Sequence, residues 1–344
     1  MIRSVRIANF RSFERVEAKN FGRFNVVVGD NGAGKTAFLE AMFLAAGNSP
    51  ESVIRVRAWR GLGGPRGTVV STHDLATGSL FRDLFHRFDE RKLISIEIKG
   101  PPHRTLTIEG VQRSPKIPVV SDGETKAPVV FKWKDNLGKE RSSTPRVTRD
   151  GIEFPDVPPG INGAFLTGQV TSIEVAQQFS ALDRYNRGAA ILHGLQRQFP
   201  EVRELSVQLD QALGPMVYAT IPYLPEKIPL ALLSSGINRI VQVLIAIEHF
   251  PKGSLFVDEI ENGIYYARMP AVWESLVESV LSSDNQLFVS THSGEALAAL
   301  APLVAQLRDF RLIRISKNSD GQSFARVVDG RDFEAALEER VEVR

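Results

Sequence analysis

No cysteine occurs among the 344 residues, so disulfides, thiolate metal sites and cysteine nucleophiles are excluded, in agreement with a reducing compartment. Nor does any stretch approach the roughly 18 consecutive apolar residues that a membrane span requires. The opening MIRSVRIANF alternates charged with apolar residues where a secretory signal would build an apolar block. These absences predict a cytoplasmic protein with no membrane association. The six histidines are scattered, without the spacing of a metal site.

What is present is a chain with 43% apolar residues, enough for a large core or two joined lobes. The net charge of +2 hides an asymmetry. Residues 1–150 carry 26 Lys and Arg against 16 Asp and Glu, and residues 151–344 carry 16 against 24. Solvated surface and contact between the halves account for such a count, and a nucleic-acid footprint on the basic half gives the same one.

Short β-branched or alternating runs predict strands at 2–7 and 23–28. From Gly34 the run GKTAFLEAMFLAAG predicts a largely buried helix that stops at Gly47. Residues 93–154 hold strand-like pieces separated by turn signals and are expected to form an inserted antiparallel sheet. Residues 173–213 have helical spacing, divided at Pro200, without the heptads of a long coiled coil. The run NRIVQVLIAIEHF predicts a core helix, GSLFVDE and NQLFVSTHS predict buried parallel strands, and RLIRISKNSDGQSFARVVDG predicts a hairpin followed by a short helix.

The chemistry is concentrated at residues 29–36. Gly29, Gly34, Lys35 and Thr36 fit G-x-x-x-x-G-K-[ST] in strand, loop, helix order. Glycines let backbone N–H groups turn inward around phosphate oxygens, Lys35 neutralises the outer phosphates, and the Thr36 hydroxyl suits Mg²⁺. Such a loop needs a carboxylate for the metal at the end of another strand, and SLFVDE supplies Asp258. Glu259 follows it, placed to orient and deprotonate an attacking water. No guanine-reading N-K-x-D box occurs, so the expected nucleotide is ATP.

With these residues in place the chain resembles an ABC-type ATPase of the RecF, SMC and OLD group. VRIANFRSFE, which contains Arg11, is similar to the first strand and turn of that group, and GDNGAGKT carries its Asn31 beside Gly32 and Ala33. LLSSGINR resembles the signature L-S-x-G at Leu233, Ser234, Ser235 and Gly236, although SSG also reads as an ordinary helix cap. VDEIENGIYY is close to the D-E-I-E-N-G box of OLD-like single-domain ATPases, with Tyr265 where histidine is frequent. FVSTHS resembles the switch-histidine loop, which makes His292 a γ-phosphate sensor. FLTGQVTS offers Gln169 for the glutamine loop, with Gln177 and Gln178 as alternatives.

The resemblance implies an α/β P-loop NTPase of ABC type, with a mixed central sheet, an inserted antiparallel β subdomain and a helical lobe. It implies one domain over 1–344: a P-loop lobe to about 165, a helical lobe over about 166–230, and a signature, Asp258 and His292 core from about 231. Bound Arg11, Asn31, Gly32, Ala33, Gln169, Ser234 and Gly236 would contact ATP, and Thr36 and Asp258 would hold Mg²⁺. Two copies would sandwich ATP, with higher assembly open. Long coiled-coil arms are missing, and the fifty or so residues after His292 are too few for a Toprim nuclease domain. The expected function is an ATPase switch acting on DNA or on a separate nuclease or toxin effector, in genome maintenance or antiphage defence. A RecF-like DNA repair ATPase and a non-hydrolysing scaffold gated by nucleotide stand as alternatives.

Overall fold

The computed structural model describes residues 1–47, 79–101, 103–110, 125–126, 129–148, 151–154, 160, 162–167, 172–307 and 309–338. The chain forms two compact units. The first comprises Met1–Phe21, Gly29–Ile161 and Ile313–Val327, and the second Gly22–Val28, Asn162–Leu312 and Val328–Arg344.

The first unit begins with an antiparallel hairpin, β1 (Ser4–Phe10) and β2 (Phe13–Lys19). The chain then supplies β3 (Phe24–Val28) to the second unit and returns with α1 (Lys35–Ala46). The strands that follow include β4 (Ile94–Lys99), β5 (Arg104–Gly110), β6 (Val129–Asp135) and β7 (Glu140–Ser143). They extend the hairpin into one antiparallel sheet, in the order β2-β1-β4-β5-β6-β7, while short strands at 125–126, 146–148 and 151–153 form a separate three-stranded antiparallel sheet. Strand alternation explains the arrangement. On one face Ile7 faces Ile96, Ile96 faces Leu106 and Leu106 faces Trp133, all buried. On the other, Arg6 pairs with both Glu17 and Glu97 at the surface. Helix α1 is apolar nearly all round and packs against β1, β4 and β5, so its burial holds the loop that precedes it.

In the second unit, β8 (Gly163–Leu166) leads to α2 (Ser172–Asp183) and α3 (Gly188–Gln196). The helical spacing over 174–199 is broken at Arg184–Arg187, where Asn186 adopts φ 60° and Arg187 N–H donates back to Leu182. Residues 201–213, expected to be helical, instead form β9 (Glu204–Asp210), which pairs antiparallel with β10 (Gly214–Thr220). Leu205, Val207 and Leu209 recur at every second position, and pairing with β10 favoured that period over the helical one.

Helix α4 (Ser235–His249), β11 (Ser254–Val257), α5 (Met269–Ser282), β12 (Gln286–Ser290) and α6 (Gly294–Val304) complete the core of this unit. Strands β8, β11, β12 and β3 lie parallel, in that order. Phe165, Phe256 and Phe288 occupy one rung, with the Phe256 and Phe288 rings stacked 5.2 Å apart. β13 (Phe310–Lys317) and β14 (Ser323–Asp329), most of which belong to the first unit, are joined by a turn closed by Asn318 Oδ1, and α7 (Gly330–Glu338) follows. Among the described residues, no helix is long and apolar enough to cross a membrane.

Candidate functional site

Each unit carries one group of the candidate residues. In the first, the glycine loop lies between β3 and α1. Gly29, Gly32 and Gly34 adopt φ of 146°, 78° and 112°, a region that residues with a Cβ avoid. Space enforces glycine as well: a Cβ on Gly29 would meet the Ile315 carbonyl at 2.1 Å, and one on Gly34 would meet Phe13 Cζ and Ser12 Oγ at 2.7 Å. Lys35 is buried, and its Nζ donates to the carbonyls of Gly29 (2.7 Å) and Asp30 (3.2 Å). The ammonium is thus held within the concavity, and Lys317 Nζ ties down the rim by donating to Gly32 (3.0 Å). Asn31 is exposed, Ala33 is buried, and Thr36 is half-buried in the first turn of α1. These residues fit a polyphosphate, since a glycine backbone at positive φ, a helix N-terminus and a fixed cation meet there.

Arg11 is otherwise engaged. Its Nε lies 2.8 Å from Glu40 and its guanidinium also reaches Asp83 at 3.2 Å, with the side chain only 8% exposed. A contact with nucleotide requires this pair to open, at the expense of Glu40, which is buried on α1. Gln169 lies outside the described residues; of its alternatives on α2, Gln177 is exposed and Gln178 half-buried.

In the second unit, Asp258 and Glu259 follow β11 directly, and His292 stands two residues after β12. Ser290 braces the two strand ends: its hydroxyl donates to the Asp258 carboxylate and accepts from Glu259 N–H (2.8 Å). Glu259 adopts φ 49°, a conformation disfavoured for a glutamate, and Asn262 Nδ2 donates to its Oε2 at 2.6 Å. His292 Nδ1 is 4.0 Å from Glu259 Oε1 but 2.9 Å from Glu261 Oε1. Only the second is within hydrogen-bond distance. Glu261 and Asn262 were not among the candidates read from the sequence, although both lie in the quoted D-E-I-E-N-G box.

The LSSG segment lies against this same box. Ser234 is an N-cap, its Oγ accepting from Ile237 N–H (3.1 Å), and it is exposed. Gly236 is buried against Gly263, where a Cβ would come within 2.5 Å of the Gly263 carbonyl. Gly263 in turn has φ 76° and no space for a Cβ beside Ser235. Ser234 and Gly236 open onto a cleft of about 350 Å³, also lined by Gly263, Tyr265 and Arg268. The exposed Tyr265 packs its ring edge-on to Tyr266 at 4.7 Å.

Comparison with known proteins agrees with this geometry. Residues 4–113 match a family described as "AAA domain", and residues 179–298 match one described as "AAA domain, putative AbiEii toxin, Type IV TA system". An ATP/GTP phosphatase of Helicobacter pylori is 21% identical over 90% of each chain. An uncharacterized protein of Methanocaldococcus jannaschii is 27% identical over 33% of this chain and 49% of its own. Among solved structures, an SMC head bound to the C-winged helix domain of ScpA superimposes with a TM-score of 0.53 at 16% identity, covering 98% of this chain and 99% of that one. The fold is that of an SMC-head P-loop ATPase. The two matched AAA domain families support an ATPase.

Proposed function

We propose that two copies close around two Mg-ATP molecules, that Glu259 promotes hydrolysis, and that closing and opening control a separate effector protein. The observation that carries this reading is the backbone packing of Gly236 on Gly263. It makes the LSSG helix terminus and the Asp258–Glu259 loop one structural piece, so a phosphate met by one biases the other. That is the differential contact a nucleotide-driven two-state switch needs.

Thr36 and Asp258 are the residues that would hold Mg²⁺, which when bound supplies charge neutralisation at the β- and γ-phosphates. Lys35 binds the outer phosphates. Glu259, its carboxylate steadied by Asn262, orients a water and accepts its proton, while Ser290 keeps Asp258 and Glu259 in fixed relation. His292 senses the γ-phosphate.

The toxin and toxin–antitoxin system named for the second matched family favour an effector-linked role, as in OLD-like systems of antiphage defence, over DNA repair. The surface charge points the same way: Arg6 and Lys132 on the antiparallel sheet are matched by Glu17, Glu97 and Glu109, which weakens a phosphate-tracking face.

The test is the size in solution of wild type and Glu259→Gln, with and without Mg-ATP and duplex DNA, together with phosphate release. The expected result is an ATP-dependent dimer, trapped in Glu259→Gln and indifferent to DNA. A monomer under all conditions would overturn the dimer, and DNA-dependent dimerisation would favour the repair reading. A dimer that binds ATP without releasing phosphate would point to a scaffold.

A further inference from the structure

The D-E-I-E-N-G box contains a third carboxylate, which the mechanism above does not use. Glu261 lies three residues beyond Asp258 and its side chain is 11% exposed, whereas that of His292 is 45% exposed. One oxygen, Oε1, accepts from the backbone N–H of His292 at 2.8 Å and lies 2.9 Å from its ring Nδ1. The other oxygen, Oε2, is buried and accepts no hydrogen bond among the described residues. Burying a carboxylate that way is costly unless the contacts it does make are needed.

We propose that Glu261 is a positioning residue for His292, fixing both the backbone and the ring of the γ-phosphate sensor so that Nε2 is the nitrogen turned to the nucleotide. The role rests on the reading of His292 as that sensor. A ring nitrogen that donates to a carboxylate fixes which nitrogen carries the proton and the plane in which the other points. Here the partner comes from the loop that also carries Asp258 and Glu259. The sensor and the hydrolytic carboxylate are therefore referenced to one rigid segment, and Gly263 in that segment backs the LSSG glycine. A histidine held only by its own loop would lose an exposed ring to several rotamers. Glu259 does not substitute as the anchor, because its 4.0 Å separation leaves it outside hydrogen-bond distance.

The experiment measures kcat and, separately, ATP affinity for wild type, Glu261→Ala, Glu261→Gln, His292→Ala and the Glu261→Ala/His292→Ala double variant. Removing a carboxylate that orients a histidine is expected to lower kcat by roughly 10- to 100-fold, with ATP affinity unchanged. Glu261→Gln keeps an acceptor oxygen and is expected to retain most of the turnover. The double variant is expected to be no slower than His292→Ala, since the two residues act as one unit. An equal further loss on adding Glu261→Ala to His292→Ala overturns the proposal.

Slow turnover in His292→Ala beside normal turnover in Glu261→Ala also overturns it, and leaves the sensor standing. Normal turnover in His292→Ala removes the sensor and the proposal together. Should Glu261→Ala fail to fold, ring nitrogen NMR of the wild type decides independently of activity. A proton on Nδ1 of His292 is expected, and a ring protonated on Nε2 alone overturns the assignment.

Discussion

Arg239, in the first turns of α4, donates to the backbone carbonyl of Asp258 at the end of β11 and to that of Thr167, 2.6 Å away, just beyond β8. A longer contact of 3.4 Å reaches Leu166. The side chain is 4% exposed, and burial pushes its pKa down to about 10 against the fields of Asp258, Glu259 and Glu261. It remains a cation at neutral pH, capping the carbonyl ends of two neighbouring parallel strands.

Replacing Arg239 with methionine removes the guanidinium's hydrogen bonds to those carbonyls and the cation that faces three carboxylates. The expected loss is about 3–5 kcal/mol, the range for breaking a buried charged network by removing one partner. In a chain of this length that is a fall in Tm of about 4–7 °C. Arg239→Lys should recover only part of it, because a single ammonium cannot fork between Thr167 and Asp258. Thermal unfolding decides: a Tm within error of wild type for Arg239→Met would mean that water replaces the guanidinium.

The glycine loop separates binding from folding. Lys35→Ala removes a cation whose hydrogen bonds among the described residues go to loop carbonyls, so the variant should fold while ATP affinity falls roughly 100-fold, as for the loss of a charge-assisted phosphate contact of about 2–3 kcal/mol. Gly34→Ala should lose both, since its methyl would press on Phe13 and Ser12 at a φ of 112°. Calorimetric titration with ATP and a melting curve for each variant check the contrast. Undiminished ATP affinity in Lys35→Ala would remove the phosphate role.

Legibility in the sequence tracked how local each cause was. The glycine loop, the helix after it and the buried runs FNVVV, SLFV and QLFVS are set by residues adjacent in the chain, and they form where the pattern places them. The segment ELSVQLD had a period of two inside a longer stretch that also suited a helix, and only its antiparallel partner β10 decided between them. That β4 to β7 would add to the β1–β2 hairpin was not readable, because Ile7 meets Ile96 across more than eighty residues. The same holds within the site. Asp258, Glu259 and His292 announce themselves by type and context, whereas the Glu261–His292 hydrogen bond and the Gly236–Gly263 contact exist only once two loops are folded against each other.

His249 predicts a pH dependence. It ends α4 with its ring edge-on to Phe250, and desolvation first, then the nearby Arg187 cation, lowers its pKa below the ordinary 6.5. The unfolded chain then binds a proton that the folded chain resists. Stability is therefore fully present above pH 6.5 and declines as pH falls from 6.5 through the lowered folded value. The group is partly exposed, so the effect is small. His249→Gln should flatten the slope of Tm against pH just below 6.5, and an unchanged slope would assign it to other groups.

The proposed dimer predicts a pattern of complementation that no monomeric site can give. A Ser234→Arg subunit retains its glycine loop but carries a bulky cation at the helix terminus offered to its partner; a Lys35→Ala subunit has the reverse defect. Each alone should be inactive, because every sandwiched site in its homodimer lacks one half. Mixed, the two form heterodimers in which one site combines the intact Lys35 of one subunit with the intact Ser234 of the other, and the second site carries both defects. Random pairing of equal amounts makes half of the dimers mixed, so phosphate release should recover to roughly a quarter of the wild-type rate, as expected for a closed two-fold assembly. Full activity of Ser234→Arg alone would show that the LSSG segment is only a helix cap, and no recovery on mixing would mean that ATP is not shared between subunits.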